Sequence, residues 1–373
     1  MTFFYFLSLV VIIAYVYLLM HISDGWDDTP EVLPPDGYRP EQRVSIIIPA
    51  RNEADNIIAC LESIYNNDFD NSMYEVIVID DHSEDGTSDL VRKHFPKTQV
   101  VVMDNAQGKK ASLHQGTLKS KYGFLLFTDA DTKVGKHWIK SNVWAYENKH
   151  LAFATGPVYS EFRDDILSAF QFLDFAGMTQ ITANGIYRKN YFIANGANMA
   201  INKKIYRQIG GMSDHSHIAS GDDMFLIHSV ASIDSRQVHY IKSPEAAVVT
   251  VPMASWKALF QQRKRWAAKT RNLPWSSAQT IQVFVFFIHL LILINILLIP
   301  FSGGLSLFGG LFMLFIKGCV DFLFLAKSAR YFSYSQPLKY FIPAFLVYFI
   351  YIFYMAWVAV FSKRYVWKGR YVR

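Results

Sequence analysis

Cysteine is scarce in this 373-residue chain: Cys60 and Cys319 are the only two. Two cysteines cannot build a disulfide framework, and Cys60 falls inside an expected helix while Cys319 falls in an apolar region. The polar middle of the chain is therefore expected to face a reducing cytosol. No expected strand is followed by a Gly-x-Gly-x-x-Gly fingerprint, which argues against a dinucleotide site. No Walker-type Gly-Lys-Ser/Thr loop is present either, and Gly108-Lys109 alone does not make one. No Lys or Arg precedes the first apolar run and no small-x-small cleavage pattern follows it, so a retained anchor is expected rather than a cleaved signal peptide. His215 and His217 lack the cysteine or carboxylate spacing of a zinc site and read as loop histidines.

What is abundant is apolar and unevenly spread. Hydrophobic residues make up 51% of the chain and aromatics 16%, high for a soluble domain. Residues 1–22 form an expected transmembrane anchor, with Thr2 to Met20 close to the ~20 apolar residues that cross a bilayer. Residues 40–275 read as a cytosolic globular domain, 279–361 as a membrane region of two to three spans, and 362–373 as a basic tail. Ile281–Pro300 and Leu338–Phe361 read as spans, whereas Gly303–Ala326 carries Lys317, Asp321 and two Gly-Gly pairs. If that middle segment crosses, the tail bearing Lys363, Arg364, Lys368, Arg370 and Arg373 lies outside. If it does not, Lys327, Arg330 and Lys339 lie outside instead. The net charge of +6 suits a lipid surface better than a nucleic-acid groove, and no nucleic-acid partner is expected.

Within the polar middle, β-branched runs alternate with helical stretches: Val44–Ile48 then Ala54–Tyr65, Glu75–Ile79 then Thr87–His94, Gln99–Met103 then Lys109–Lys119, and Phe124–Thr128. That alternation predicts an α/β fold with a mixed, mainly parallel sheet, Rossmann-like, flanked by N- and C-terminal transmembrane helices. Polar residues cluster at the strand ends: Pro49-Ala50-Arg51-Asn52-Glu53, Asp80-Asp81-His82-Ser83, Asp104–Lys109 and Asp129–Asp131. In open α/β sheets ligands bind beyond the carboxyl ends of the strands, so four segments are expected at one crevice.

Asp129 and Asp131, spaced by two after a buried strand, can project carboxylates to one side, and hard oxygens suit Mg²⁺ or Mn²⁺ on a diphosphate. An Asp-x-Asp pair also occurs in plain surface turns. Asp80 and Asp81 either cap the turn into the next helix or contact a nucleotide, and the two roles are compatible. Lys109 either meets a diphosphate or donor group or simply lies on a solvated helix face. Residues 254–271 form an expected amphipathic interfacial helix. Its Trp256, Leu259, Phe260 and Trp266 turn to apolar surroundings, while Lys257, Arg263, Lys264 and Lys269 meet headgroups.

Taken together, Val44–Glu53, the Val78–Ser83 turn with Asp85-Gly86-Thr87 behind it, Asp129-Ala130-Asp131, Gly221-Asp222-Asp223 and Gln262-x-x-Arg265-Trp266 resemble glycosyltransferase family 2. The resemblance is to its membrane-integrated branch, which includes cellulose, chitin and hyaluronan synthases and ceramide glucosyltransferase-like enzymes, and it covers about residues 40–275. It implies a GT-A fold, a nucleotide-diphosphate sugar donor, usually UDP-linked, and inversion at the anomeric carbon. By the same resemblance, Pro49, Ala50, Glu53, Asp80 and Asp81 surround the base and ribose, and Asp131, helped by Asp129, holds the metal. Asp223 is then the general base. Asp222 departs from the commoner Glu, one methylene shorter, and its like charge strengthens Asp223 as a base. Arg265, with Gln262 on the same helical face, stabilises the departing diphosphate, and Trp266 packs beneath the acceptor.

Asn195-Gly196-Ala197-Asn198 is read as preceding a helix closed by Gly210-Gly211, on the acceptor side. Too few crossings are expected for a polymer channel, although a second copy or partner subunit would complete one. Transfer of one sugar to a lipid or lipid-linked acceptor is thus preferred over processive polysaccharide synthesis. Two other classes fit less well. A nucleotidyltransferase would show a Gly-rich loop where Pro49–Glu53 stands, and intact Asp131, Asp223 and Arg265 argue against a non-catalytic scaffold. The expected location is the cell (inner) membrane, with the catalytic domain facing the cytoplasm.

Overall fold

The computed structural model describes residues 2–104, 108–211, 222–270, 277–301, 305–361, 365–367 and 370–372. His215, His217 and Gly221 lie outside the described residues, as does the side chain of Asp222. The elements begin with α1 (Thr2–Asp28), β1 (Val44–Ala50), α2 (Ile57–Tyr65), β2 (Tyr74–Asp80), α3 (Thr87–His94), β3 (Gln99–Val102) and α4 (Lys109–Lys119). They continue with β4 (Phe124–Phe127), β5 (Thr132–Val134), α5 (Trp138–Asn148), β6 (Phe153–Thr155), β7 (Val158–Ser160), α6 (Ile166–Arg188), β8 (Met199–Asn202) and α7 (Lys203–Gln208). Then follow α8 (Asp222–Asp234), β9 (Val238–Tyr240), β10 (Val248–Thr250), α9 (Trp256–Thr270), α10 (Ser277–Leu297), α11 (Leu305–Tyr331) and α12 (Phe341–Phe361).

Two compact units result. Thr29–Glu161 and Gly185–Pro252 make an α/β unit, while Met1–Asp28, Phe162–Asn184 and Met253–Val366 make a helical one. The α/β unit is built on a seven-stranded sheet of order β3-β2-β1-β4-β8-β6-β9. Only β8 runs against its neighbours β4 and β6; the other pairings are parallel. The central strands read almost without polar interruption, as strands buried on both faces do. Ile46, Ile47 and Ile48 of β1 and Phe124 to Phe127 of β4 have no exposed surface, and each such side chain contributes about 1.5–3 kcal/mol when fully buried. Ile47 lies opposite both Ile77 and Phe127. On top of it sits α4, so close that a Cβ added at Gly116 would fall 2.4 Å from the Ile47 Cγ2. Pro49 lies beyond the last β4 partner of β1, where its missing N–H is tolerated.

Asn195–Asn198 precedes a strand, β8, rather than a helix, and β8 is inserted between β4 and β6 in the middle of the sheet. The next helix, α7, is capped by the Asn202 side chain, which accepts from the N–H groups of Lys204 and Ile205. Gly210 and Gly211 do close α7, both at positive φ.

Among the described residues of the helical unit, four helices are long and apolar enough to cross a membrane: Tyr5–Asp28, Ser277–Leu297, Ser306–Tyr331 and Gln336–Ala359. The middle segment that carries Lys317 and Asp321 is one continuous helix, α11. Its charges do not oppose an apolar setting, because Lys317 is fully buried and pairs with Asp321 one turn later. The Tyr15 hydroxyl donates to the other Asp321 oxygen at 2.6 Å. Outward, α11 presents Phe308, Leu311 and Phe315. Contacts of Tyr5 with Ser306, Tyr15 with Asp321 and Ser23 with Lys327 run in step, so α1 and α11 lie side by side and parallel. Polar groups that bond between helices are the expected glue where apolar surface faces outward.

Candidate functional site

The site of the α/β unit is assembled from the carboxyl ends of β1, β2 and β4. Two loops lock together there. After β1, the Asn52 N–H donates to Ser83 Oγ at 2.9 Å, Glu53 N–H to Thr87 Oγ1 at 2.9 Å, and Ala54 N–H to Asp85 Oδ2 at 2.9 Å. In return Glu84 N–H donates to Asn52 Oδ1. Asn52 (φ 51°) and His82 (φ 59°) both sit in the left-handed region, an uncommon state for non-glycine residues and one that concentrates at functional sites.

Of the expected nucleotide residues, Pro49 and Ala50 end β1, and the Glu53 carboxylate accepts from Asn56 Nδ2 at 2.9 Å. Asp80 is the last residue of β2, and its carboxylate caps the turn by accepting from Ser83 N–H at 2.8 Å and from the Ser88 hydroxyl. Asp81, 2% exposed, accepts from Gly108 N–H at 2.9 Å and lies 3.8 Å from Arg51 Nη1. Arg51 also donates to the Asp81 carbonyl at 3.1 Å. His82 contacts Asp81 Oδ1 at 3.0 Å and the Asp104 carbonyl at 3.2 Å. Asp80 thus serves the turn, while Asp81 joins the β1 loop to the start of α4. Nothing in the sequence marks Arg51 or His82 apart from their neighbours; their signal is a place within the two strand-end runs.

Asp129 and Asp131 lie in the turn between β4 and β5, held by its backbone. The Asp129 carbonyl accepts from Thr132 Oγ1 at 2.7 Å and from the Cys60 thiol at 3.5 Å, and the Asp131 carbonyl accepts from Val251 N–H at 3.2 Å. Burial pushes the Cys60 thiol well up, and the nearby charges of Asp131 and Asp129 push it further, so the sulfur stays protonated beneath the turn. The Lys109 ammonium pairs with Asp129 Oδ1.

This turn fits a divalent cation that arrives with a diphosphate. Mg²⁺ and Mn²⁺ are typically held by one or two carboxylates plus phosphate oxygens and water. Asp129 and Asp131 supply that number, and among the described residues no group of three His, Cys, Asp or Glu forms a closed cage.

Asp223, the second residue of α8, is 9% exposed. Its Oδ1 accepts from Met224 N–H at 2.9 Å and its Oδ2 from Gly196 N–H at 3.2 Å. Both carboxylate oxygens thus carry a backbone N–H partner. Gly196 is the meeting point. A Cβ there would lie 3.2 Å from Lys109 Nζ and 3.7 Å from Asp223 Oδ2. Asp129, Lys109, Gly196 and Asp223, from four separate segments, therefore border one small space. Asn198 is instead a buried brace, accepting from Trp138 Nε1 at 2.9 Å and donating to the carbonyls of Pro157 and Ala246.

Gln262, Arg265 and Trp266 lie on α9 in the helical unit. One basic residue there is not where its helix face suggests. Arg263 is 3% exposed, pairs with Asp174 of α6 at 2.6 Å, and lies 4.1 Å over the Trp266 ring. It is thus a buried partner of Trp266 rather than a headgroup contact. Trp266 also meets Phe175 edge to face at 5.9 Å, while Leu259 is fully buried and Trp256 packs on Phe170.

A mainly parallel sheet with one reversed strand, ending in an acidic turn after β4, defines the GT-A class of glycosyltransferase fold. Residues 45–210 match the family described as Glycosyl transferase family 2. Among curated proteins, it is 27% identical over 184 residues to glycosyltransferase AglE of Haloferax volcanii, covering 48% of this chain and 59% of the relative. It is also 27% identical over 238 residues to the probable glycosyltransferase YdaM of Bacillus subtilis, covering 60% of this chain and 54% of the relative. The chain thus spans less than two thirds of the length of these relatives. Among solved structures, the mannosyltransferase PcManGT of Pyrobaculum calidifontis, in complex with GDP-Man and Mn²⁺, shares the fold. Its TM-score is 0.57 at 19% identity, covering 95% of this chain and 96% of that one.

Proposed function

We propose that this protein moves a sugar from a nucleotide-diphosphate sugar, with UDP as the first donor to test, onto a lipid or lipid-linked acceptor at a membrane, with inversion. The observation that carries the reading is the meeting of Lys109, Asp129 and Asp223 around Gly196. A donor diphosphate and an acceptor hydroxyl need opposite kinds of partner, and both kinds stand within one small space. Four helices suited to a bilayer support a lipid acceptor.

In this mechanism the strand-end loops from Pro49 to Glu53 and around Asp81 hold the base and ribose. Asp129 and Asp131 would hold Mg²⁺ or Mn²⁺, which when bound would neutralise charge growing on the leaving diphosphate. Asp223 takes the proton from the acceptor hydroxyl as that oxygen attacks the anomeric carbon from the face opposite the nucleotide, and the bond to the diphosphate breaks. Gln262 and Arg265 answer charge on the departing nucleotide, and Trp266 offers an aromatic platform to the acceptor sugar or headgroup. The catalytic unit faces the cytoplasm, where nucleotide sugars are made.

The test is incubation of the purified protein in lipid vesicles with Mg²⁺ or Mn²⁺ and a panel of labelled nucleotide sugars. Label moving into the lipid extract is expected. A ladder of growing polymer would replace single transfer by processive synthesis, and no transfer from any donor would overturn the reading.

A further inference from the structure

Lys109 occupies an unusual position for a lysine. It is the first residue of α4, where a cation opposes the positive end of the helix dipole. Helix N-termini instead favour anions, and the diphosphate of the proposed donor is such an anion. Yet the ammonium lies on Asp129, and Gly196 leaves it room toward Asp223 as well. Its backbone is held firmly, since the preceding Gly108, at φ 98°, donates its N–H to the buried Asp81 carboxylate. Only the flexible side chain has freedom to change partner.

We propose that Lys109 is an exchangeable counter-cation: it neutralises Asp129 before the donor arrives, and a divalent metal taking Asp129 hands the ammonium over to the donor diphosphate. The inference rests on the reading of Asp129 and Asp131 as the metal pair. Its consequence is linkage. Metal binding frees the lysine for nucleotide, and nucleotide draws the lysine off the metal site, so each ligand strengthens the other.

The two roles give Lys109→Met opposite signs in two measurements. In the full-length protein without nucleotide, Mn²⁺ followed by electron paramagnetic resonance should bind about threefold or more tighter to Lys109→Met than to the parent, because the competing cation is gone. With Mn²⁺ present, UDP, and GDP in a parallel arm, should bind the same variant about tenfold or more weaker, because a charge-assisted phosphate contact is lost. Lys109→Gln should repeat both changes, which guards against a poorly folded Met variant, and Lys109→Arg should stay near the parent. In an Asp129→Asn background the gain in Mn²⁺ affinity should vanish. Persistence of that gain without Asp129 would indicate a general field effect and overturn the exchange. So would unchanged or weaker Mn²⁺ binding in both neutral variants, including the case in which Mn²⁺ binds only once UDP or GDP is added. If the parent binds no Mn²⁺ even with either nucleotide, the metal reading itself fails, and the inference with it.

Discussion

Replacing Asp223 with Asn separates chemistry from donor binding. The side chain keeps its shape and one acceptor oxygen, but it can no longer take a proton. In the native site, Oδ1 accepts from Met224 N–H at 2.9 Å and Oδ2 from Gly196 N–H at 3.2 Å. One of those N–H groups would face an amide NH₂ in the variant. Leaving one buried donor unsatisfied costs about 1–3 kcal/mol, so urea unfolding should shift by that amount and no more. Turnover should fall much further, by about 10²–10⁴-fold, the usual contribution of a positioned base. Asp129 and Asp131 are untouched, so the dissociation constant for nucleotide diphosphate with Mn²⁺, read by calorimetry, should stay within about twofold. Initial rates in vesicles give the first number and calorimetry the second. Turnover within about threefold of the parent, in a folded variant, would refute Asp223 as the base.

Other perturbations probe separate parts of the account. Asp131→Asn should weaken nucleotide binding in the presence of Mn²⁺ while leaving metal-free binding nearly unchanged; an unaffected metal titration would remove that role. Gly116→Ala should destabilise the α/β unit by about 1–3 kcal/mol despite the better helix propensity of Ala, because the new Cβ meets Ile47 at 2.4 Å. A stabilised variant by urea titration would contradict this packing. The Cys60 thiol, pushed up by burial and by Asp131, should resist alkylation in the native protein at mildly alkaline pH and react only after unfolding, as peptide mass mapping can follow. Burial, with Lys189 and Lys149 nearby, holds the His239 imidazole down to about 4 against its ordinary 6.5. The stability that depends on its neutral form is full above its ordinary value and is lost as pH falls toward about 4, because only the unfolded chain takes up the proton there. His239→Phe should flatten that part of the stability profile, and an unchanged slope would contradict the assignment.

The residues at strand ends were legible because period and position carry them. Asp129 and Asp131 follow a run buried on both faces, and such a run has one carboxyl end where ligands gather. Partners far away in sequence were not legible. Arg263 looks like one cation among several on an amphipathic helix, and only the fold brings Asp174 to it from α6. Lys317 and Asp321 weighed against a membrane helix because hydropathy counts charges one by one. As a buried i, i+4 pair joined by Tyr15 they turn inward and leave the outer face apolar. Met199–Asn202 is too short to separate a strand from a helix by its apolar pattern, and its reversed direction between β4 and β6 is a property of the sheet. For the same reason the sequence contains Gly196 and Asp223 without showing that one donates to the other.

The central claim is a single sugar transferred from a nucleotide donor to a lipid. The most direct measurement is mass spectrometry of the lipid extract after turnover in vesicles, paired with the amount of free nucleoside diphosphate released. One sugar added per modified lipid, with one nucleoside diphosphate released per sugar and none from the Asp223→Asn variant, is the predicted result. Nucleotide released without any sugar-bearing lipid, or a series of lengthening products, would contradict it.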